Sequence, residues 1–388
     1  MPINAFSPEK NFLKWSKSEV INFLNRAEFV GQAAWYIENI LSSAEAIDIF
    51  SNPNLPADVI QAILQHEIVS LHKLIKIITY DASDLTVSSD TTLSGVNRYK
   101  GLGVSATLTV DGQPGVLICD YLKSNGTISK TKTGGAGGWS PTDGDGGDGG
   151  GGLIIITNAL KNSGLIDASG GNGGDGTDGD AADGGNGGDG LIVKIFSDKE
   201  GSGGNGGGTG EGPGSGHFGG GGGQGSSSDG GDGGSAASVL KSTPEELYKL
   251  IKYALIDWYI ENILGKELSS ATTFPDIKGA GGGGGGKYAY GAGGGGGGSG
   301  GEIIILVGES FDNTGTIRAN GGNGGNGGNL GDWDGGGGGG GGGVIYIFTK
   351  KVISQGTIQA LGGAKGSSGD YLGEDGSDGT VSLFNIQL

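Results

Sequence analysis

The 388-residue chain has one cysteine, nine prolines and three histidines, and each shortage removes a class of protein. Cys119 alone cannot build an intrachain disulfide framework, and its place in the apolar block Val116-Leu117-Ile118-Cys119 reads as a small buried hydrophobe. Nine prolines beside 93 glycines, without a strict glycine-X-Y repeat, exclude collagen. His66 and His72 fall on a predicted helix and His217 in a glycine tract, so neither a zinc site nor a Ser-His-Asp triad can be assembled. Positive charge is also scarce. With 24 basic residues against 42 acidic ones the net charge is −18, the wrong sign for tracking phosphates or an anionic membrane. No apolar run reaches the roughly 18 residues of a membrane span, and Met1-Pro2-Ile3-Asn4 opens no basic-then-apolar leader. Nucleic acid, a membrane span and export by signal peptide are therefore not expected. Work outside a cell requires another route, such as assembly into a particle released on lysis.

What the chain has instead is glycine, in tracts such as 281–286, 293–298 and 335–343. A flexible linker lacks apolar segments, whereas these tracts abut strand-like blocks at 153–156, 303–307 and 344–348. The blocks belong to a degenerate repeat. Val116 to Cys119 is followed by Gly126-Thr127-Ile128, and 153–156 by Gly164-Leu165-Ile166. The same pattern recurs as 303–306 with Gly315-Thr316-Ile317 and 344–347 with Gly356-Thr357-Ile358, while 191–196 is a partial fifth copy. Units that cannot bury their faces alone imply stacked rungs, a solenoid-like β core.

The first 80 residues have the helical period instead. Ser16-Lys17-Ser18-Glu19 is a capping box, Gly31 is a candidate break, and apolar spacing continues through 34–41 and 56–78. Thr243-Pro244-Glu245-Glu246 opens a further helix, whose Trp258-Tyr259-Ile260-Glu261-Asn262-Ile263-Leu264 repeats Trp35-Tyr36-Ile37-Glu38-Asn39-Ile40-Leu41 residue for residue. Trp35, Tyr36, Trp258 and Tyr259 are thus docking candidates, or else two equivalent core stripes. The expected fold class is α+β: an N-terminal helical bundle, then a glycine-rich β-solenoid or polyglycine-II-like domain with an inserted helix. The expected domains are a helical attachment domain at 1–80, a β connector at 81–133 and a glycine-rich repeat domain at 134–388, interrupted by the helix at 243–266.

In residues 321–329 asparagine recurs at every third position, the period of a polyproline-II helix. Such glycine helices have two bare faces and can approach closely enough to exchange backbone hydrogen bonds. Motifs inside the tracts are discounted accordingly. Residues 281–287 have phosphate-loop spacing, but Tyr288 stands where Ser or Thr is needed, and the hydrolase-elbow match at 297–301 is followed by an Ile-rich strand instead of a helix. Gly184 to Ile192 fits a calcium-binding β-roll nonapeptide and 170–178 nearly does, making Asp175 and Asp189 weak calcium candidates. No other cofactor is expected. Trp139, Phe218, Tyr288, Tyr290, Trp333 and Tyr371 stand in loop-like sequence and are receptor-binding candidates, because rigid aromatics on loops suit recognition. The alternative is that their rings cover bare glycine backbone.

Residues 134–379, with runs such as Gly170-Gly171-Asn172-Gly173-Gly174 and the tract at 321–329, resemble the glycine-rich adhesins that cap the long tail fibres of some bacteriophages. The resemblance implies polyglycine-II packing, an attachment domain and loops that bind a host surface. The chain departs from it in its helical first 80 residues, its inserted helix and its Ile-rich repeat. The expected role is a non-enzymatic structural adhesin on a virion or extracellular surface. Its expected partners are a host receptor (protein or glycan), other virion or fibre proteins through the helices, and further copies in an assembly. A glycan depolymerase using pairs such as Asp143 with Asp145 or Asp178 with Asp180 is the alternative, although carboxylates scattered through glycine are not preorganised. A passive fibre or coat subunit is a third reading.

Overall fold

Apolar residues at helical spacing up to residue 78 and strand-like alternation from Leu85 onward give the chain two kinds of local structure. The computed structural model describes residues 16–26, 29–130, 145–176, 243–275, 277, 287–288, 291–327, 335–367 and 373–385. These fall into two units, one of residues up to Asp81 with Lys249–Phe274, the other of Ala82–Tyr248 with Pro275–Gln387.

The helical unit contains five short helices, α1 (Lys17–Leu24), α2 (Val30–Asn39), α3 (Ser43–Phe50), α4 (Ala57–Gln65) and α5 (Leu71–Ile78), together with α6 (Pro244–Asn262) from Lys249 onward. Ser16 and Ser42 cap α1 and α3 through complete capping boxes with Glu19 and Glu45. Gly31 does not break a helix but lies within α2, and the apolar stretch 56–78 divides at His66–Ser70, where Ser70 caps α5. Ile37, Phe50, Ile60, Leu64 and Leu74 are fully buried. Buried Asp257 on α6 accepts from Gln61 and Gln65 of α4, and buried Lys252 donates to the Val69 carbonyl at 2.6 Å. Helix α6 therefore completes the helical unit rather than interrupting the glycine-rich one.

The second unit is built on one sheet of 12 strands: β1 (Leu85–Val87), β2 (Thr91–Val104), β3 (Thr107–Ser124), β4 (Thr127–Lys130), β5 (Leu153–Asn162), β6 (Leu165–Asp167), β9 (Glu302–Asn313), β10 (Thr316–Arg318), β11 (Val344–Thr349), β12 (Val352–Ser354), β13 (Thr357–Gln359) and β14 (Thr380–Asn385). The short strands β7 (Lys287–Tyr288) and β8 (Gly291–Ala292) form a separate antiparallel pair. Every pairing in the large sheet is parallel. Long β3 bonds to β4 through its first half and to β5 through its second, so the sheet doubles back on itself there.

The expected α+β architecture, a helical bundle followed by a solenoid or polyglycine-II-like domain with an inserted helix, is thereby corrected. The body is a mostly parallel sheet curled into a nearly closed, barrel-like form, and the helices are a minor part. The physical reason is lateral bonding. The repeated blocks do not close as separate units; Ile154, Ile304 and Tyr346 are neighbours across β5, β9 and β11, so the repeats merge into one sheet. The Gly-Thr-Ile and Gly-Leu-Ile turns mark its tightest approaches. A Cβ on Gly164 would lie 1.9 Å from the Gly126 carbonyl oxygen, and one on Gly315 would lie 2.1 Å from that of Gly164. Beside these turns, buried Asn162 donates to Asn313 Oδ1 at 2.7 Å, and Asn313 donates to the Gln355 carbonyl at 2.6 Å.

Seven glycine-rich tracts (145–152, 168–176, 293–301, 319–327, 335–343, 360–367 and 373–379) run out from the short strands and return to the long ones. In the central tract 319–327, each three-residue step satisfies all its N–H groups. Gly321 and Gly324 donate to the Leu361 and Ala364 carbonyls, and Gly322 and Gly325 to the Gly298 and Gly295 carbonyls. Asn323 and Asn326 donate to side chains, Asn172 Oδ1 at 2.9 Å and Asp175 Oδ1 at 2.7 Å. The asparagines extend the pattern, since Asn323 and Asn326 each accept from the backbone of tract 360–367 at 2.9 Å. Two positions in three must be glycine, because a Cβ on Gly321 or Gly322 would lie within 1.9 Å of a neighbouring tract's carbonyl oxygen.

Gly322→Ala is accordingly expected to destabilise the protein by more than about 2 kcal/mol through overpacking, and Asn323→Ala by about 1 kcal/mol for one exposed hydrogen bond. Denaturant unfolding of both variants measures this, and equal losses would contradict the packing.

Candidate functional site: the end of the tract bundle

The tract termini remote from the sheet lie at one level. Gly176 N bonds Asn326 O at 2.8 Å, Gly327 N bonds Ser367 O at 3.0 Å, Gly294 N bonds Gly335 O at 2.8 Å, and Gly174 N bonds Asp145 O at 2.6 Å. Those bonds follow from the three-residue step, which advances neighbouring tracts together. Segments 131–144, 328–334 and 368–372 each adjoin this end, and 177–242 starts there. The antiparallel β7–β8 ribbon, pairing Lys287 with Ala292 and Tyr288 with Gly291, immediately precedes tract 293–301 at the same end.

Of the receptor-binding candidates, Trp139, Phe218, Tyr290, Trp333 and Tyr371 lie outside the described residues, and only the backbone of Tyr288 lies within them. The docking candidates separate in pairs. Tyr36 and Tyr259 are buried, while Trp35 and Trp258 are partly exposed. The duplicated segments share their local bonding, with Asn39 and Asn262 donating to the Trp35 and Trp258 carbonyls at 2.9 Å in both cases. They diverge afterwards: Ser42 caps the next helix, whereas Gly265 adopts a φ of 64° and ends the chain's helical run. Asp189 lies outside the described residues, and Asp175 spends Oδ1 on the Asn326 N–H. Among the described residues no three His, Cys, Asp or Glu side chains converge as a metal-holding group. Among them, too, no helix is long and apolar enough to cross a membrane.

The side faces of the bundle show residues whose role the sequence did not announce. Ser169, Asn172, Asp175, Asn320, Asn323, Asn326, Asp375 and Asp378 each accept a backbone N–H from an adjoining tract, so the third position of each triplet is a connector. Their signal was present in the recurrence of polar residues at every third place. Nearer the sheet, Arg318 pairs with Asp167 at 2.8 Å. Burial raises the Asp167 carboxyl, but hydrogen bonds from Arg318 and Ser169 and the Arg318 charge outweigh it and hold the group below its usual range. Cys119 sits in the apolar interior, its thiol pushed up to about 12 by burial, and is chemically quiet.

Glu302 is the chemical exception. It opens β9 directly after tract 293–301, is 3 % exposed, and its Oε2 has no hydrogen-bond partner. Burial pushes its carboxyl up to about 8, and with burial it raises the phenol of Tyr346 on β11.

Comparison with protein-family models, curated proteins and solved structures finds no match for the chain.

Glu302 produces a definite pH dependence. The folded chain keeps this proton up to about pH 8, while the unfolded chain releases it near the ordinary 4.5. Stability is therefore expected to fall as pH rises through that window, by at most about 1.4 kcal/mol per pH unit, and to level off above it. Glu302→Gln removes this component. Unfolding of both proteins at pH 5, 6.5 and 8 (values spanning roughly that window) measures it, and parallel pH profiles would contradict it.

Proposed function

We propose that the protein is a structural attachment protein of a virion or other extracellular surface, working as a host-binding adhesin without covalent chemistry. The carrying observation is the common level of the tract termini. The segments bearing Trp333 and Tyr371 are each flanked on both sides by tracts of one hydrogen-bonded bundle, and the segment bearing Trp139 leads into that bundle at Asp145. Anchored ends reduce the ordering cost that a free glycine-rich loop meets on binding, and aromatic side chains supply contact area with few rotatable bonds. The helical unit serves attachment to other proteins of the particle, with partly exposed Trp35 and Trp258 as its contact candidates. The receptor class that fits is a protein or glycan of a host surface, because the net charge of −18 disfavours nucleic acid and anionic lipid.

Fluorescently labelled full chain applied to a panel of bacterial and archaeal cells, and to a glycan array, tests the reading. At least one surface is expected to bind. Trp333→Ala combined with Trp139→Ala is expected to weaken binding at least about tenfold, as loss of aromatic anchors does, with an unchanged melting profile. Binding to no surface, or binding indifferent to both substitutions, would count against an adhesin and leave a passive assembly subunit.

A further inference from the structure

Apolar columns run through the sheet at inward-facing positions. One passes Leu117, Ile155, Ile305, Ile347 and Leu383; another passes Leu108, Ile128, Ile166, Ile317 and Ile358. A third runs from Leu153 through Ile303 and Ile345 to Val381, and a fourth from Leu102 through Leu122, Leu160 and Phe311 to Val352.

The two ends of these columns differ. On the β2 side the first two columns meet polar residues, Asn97 beside Leu117 and Thr91 beside Leu108, while Leu85 pairs with Leu102. On the other side all four end on apolar residues that are incompletely covered. Val352 is 40 % and Val381 39 % exposed, and Ile358 and Leu383 are half-buried. Among the described residues β14 pairs only with β11, β13 only with β10 and β12 only with β9. None of these three strands carries a charged residue. Edge strands are ordinarily blunted by charge, proline or a cover, because free N–H and C=O groups beside apolar side chains template pairing with another chain.

We propose that this end is a self-association surface, on which a second copy of the chain docks its own β14 edge antiparallel about a twofold axis. A twofold is the symmetry that brings like edges together, with Val381, Leu383, Ile358 and Val352 of each copy covering those of the other. Uncharged strands of identical sequence meet there without like-charge repulsion. Head-to-tail stacking is the competing geometry, and it places Asn97 and Thr91 against Leu383 and Ile358, burying polar groups on apolar ones. The sheet alone carries this inference, which is independent of the attachment reading.

Sedimentation equilibrium of the full chain across roughly 1–100 μM, the range of ordinary reversible association, tests it. A closed species of twice the 38.4 kDa chain mass is expected. Val381→Lys is expected to weaken dimerisation at least tenfold with an unchanged circular dichroism spectrum. If that variant does not fold, Val352→Lys reads the same contact. Amide exchange in β14 should slow as the dimer forms. A monomer throughout the range, an open-ended polymer, lysine variants that dimerise as tightly as the parent, or a monomer whose β14 is already protected by its own chain would each overturn the proposal.

Discussion

Backbone brought against backbone with no side chain between them is the constraint from which the structure follows. The Gly322 N–H reaches the Gly298 carbonyl at 2.8 Å, while the absent Cβ of Gly322 would lie 1.8 Å from the Gly171 carbonyl oxygen. Glycine is entropically the most expensive residue to order, so a tract holds only where several neighbours satisfy its donors at once. Seven tracts meet that condition together. Their polar third residues serve as connectors, each accepting a backbone N–H from an adjoining tract.

The sheet and the tracts depend on one another through the chain path. Short strands β6, β10 and β13 lead into outgoing tracts, and returning tracts deliver the chain in register to the longer strands, as 335–343 does to β11. The Val344 N–H continues the pattern by bonding the Gly301 carbonyl at 3.0 Å. Parallel strands need long connections in any case, and here those connections are themselves bonded to one another. The same alignment sets the tract termini that flank 328–334 and 368–372 at one level.

Local features were legible in the sequence, and lateral ones were not. Ser16 with Glu19 announced a capped helix, the asparagines at 323 and 326 announced a three-residue period, and the glycines at 126, 164 and 315 marked turns. Apolar blocks announced strands but not their neighbours. Ile154 lies beside Ile304, far along the chain, and no local pattern distinguishes a repeat closed on itself from one shared across a sheet. Helix α6 misled for the same reason: its place in the sequence is among glycines, whereas Asp257 and Lys252 tie it to α4 and to Val69. The unusual acidity of Glu302 was equally hidden, since a single glutamate between a tract and a strand shows nothing of its burial. The aromatic candidates were visible as residue types, and only the register of the flanking tracts brings the chain on both sides of the Trp333 and Tyr371 segments to one end.

Residue-resolved amide hydrogen exchange of tracts 319–327 and 335–343 tests the central constraint most directly. Glycine N–H groups such as those of Gly322, Gly340 and Gly343 should exchange as slowly as those of β9 and β11, because all are bonded to neighbouring carbonyls. Exchange at the rate of unstructured peptide in these tracts, beside a protected sheet, would contradict a bundle held by backbone contact.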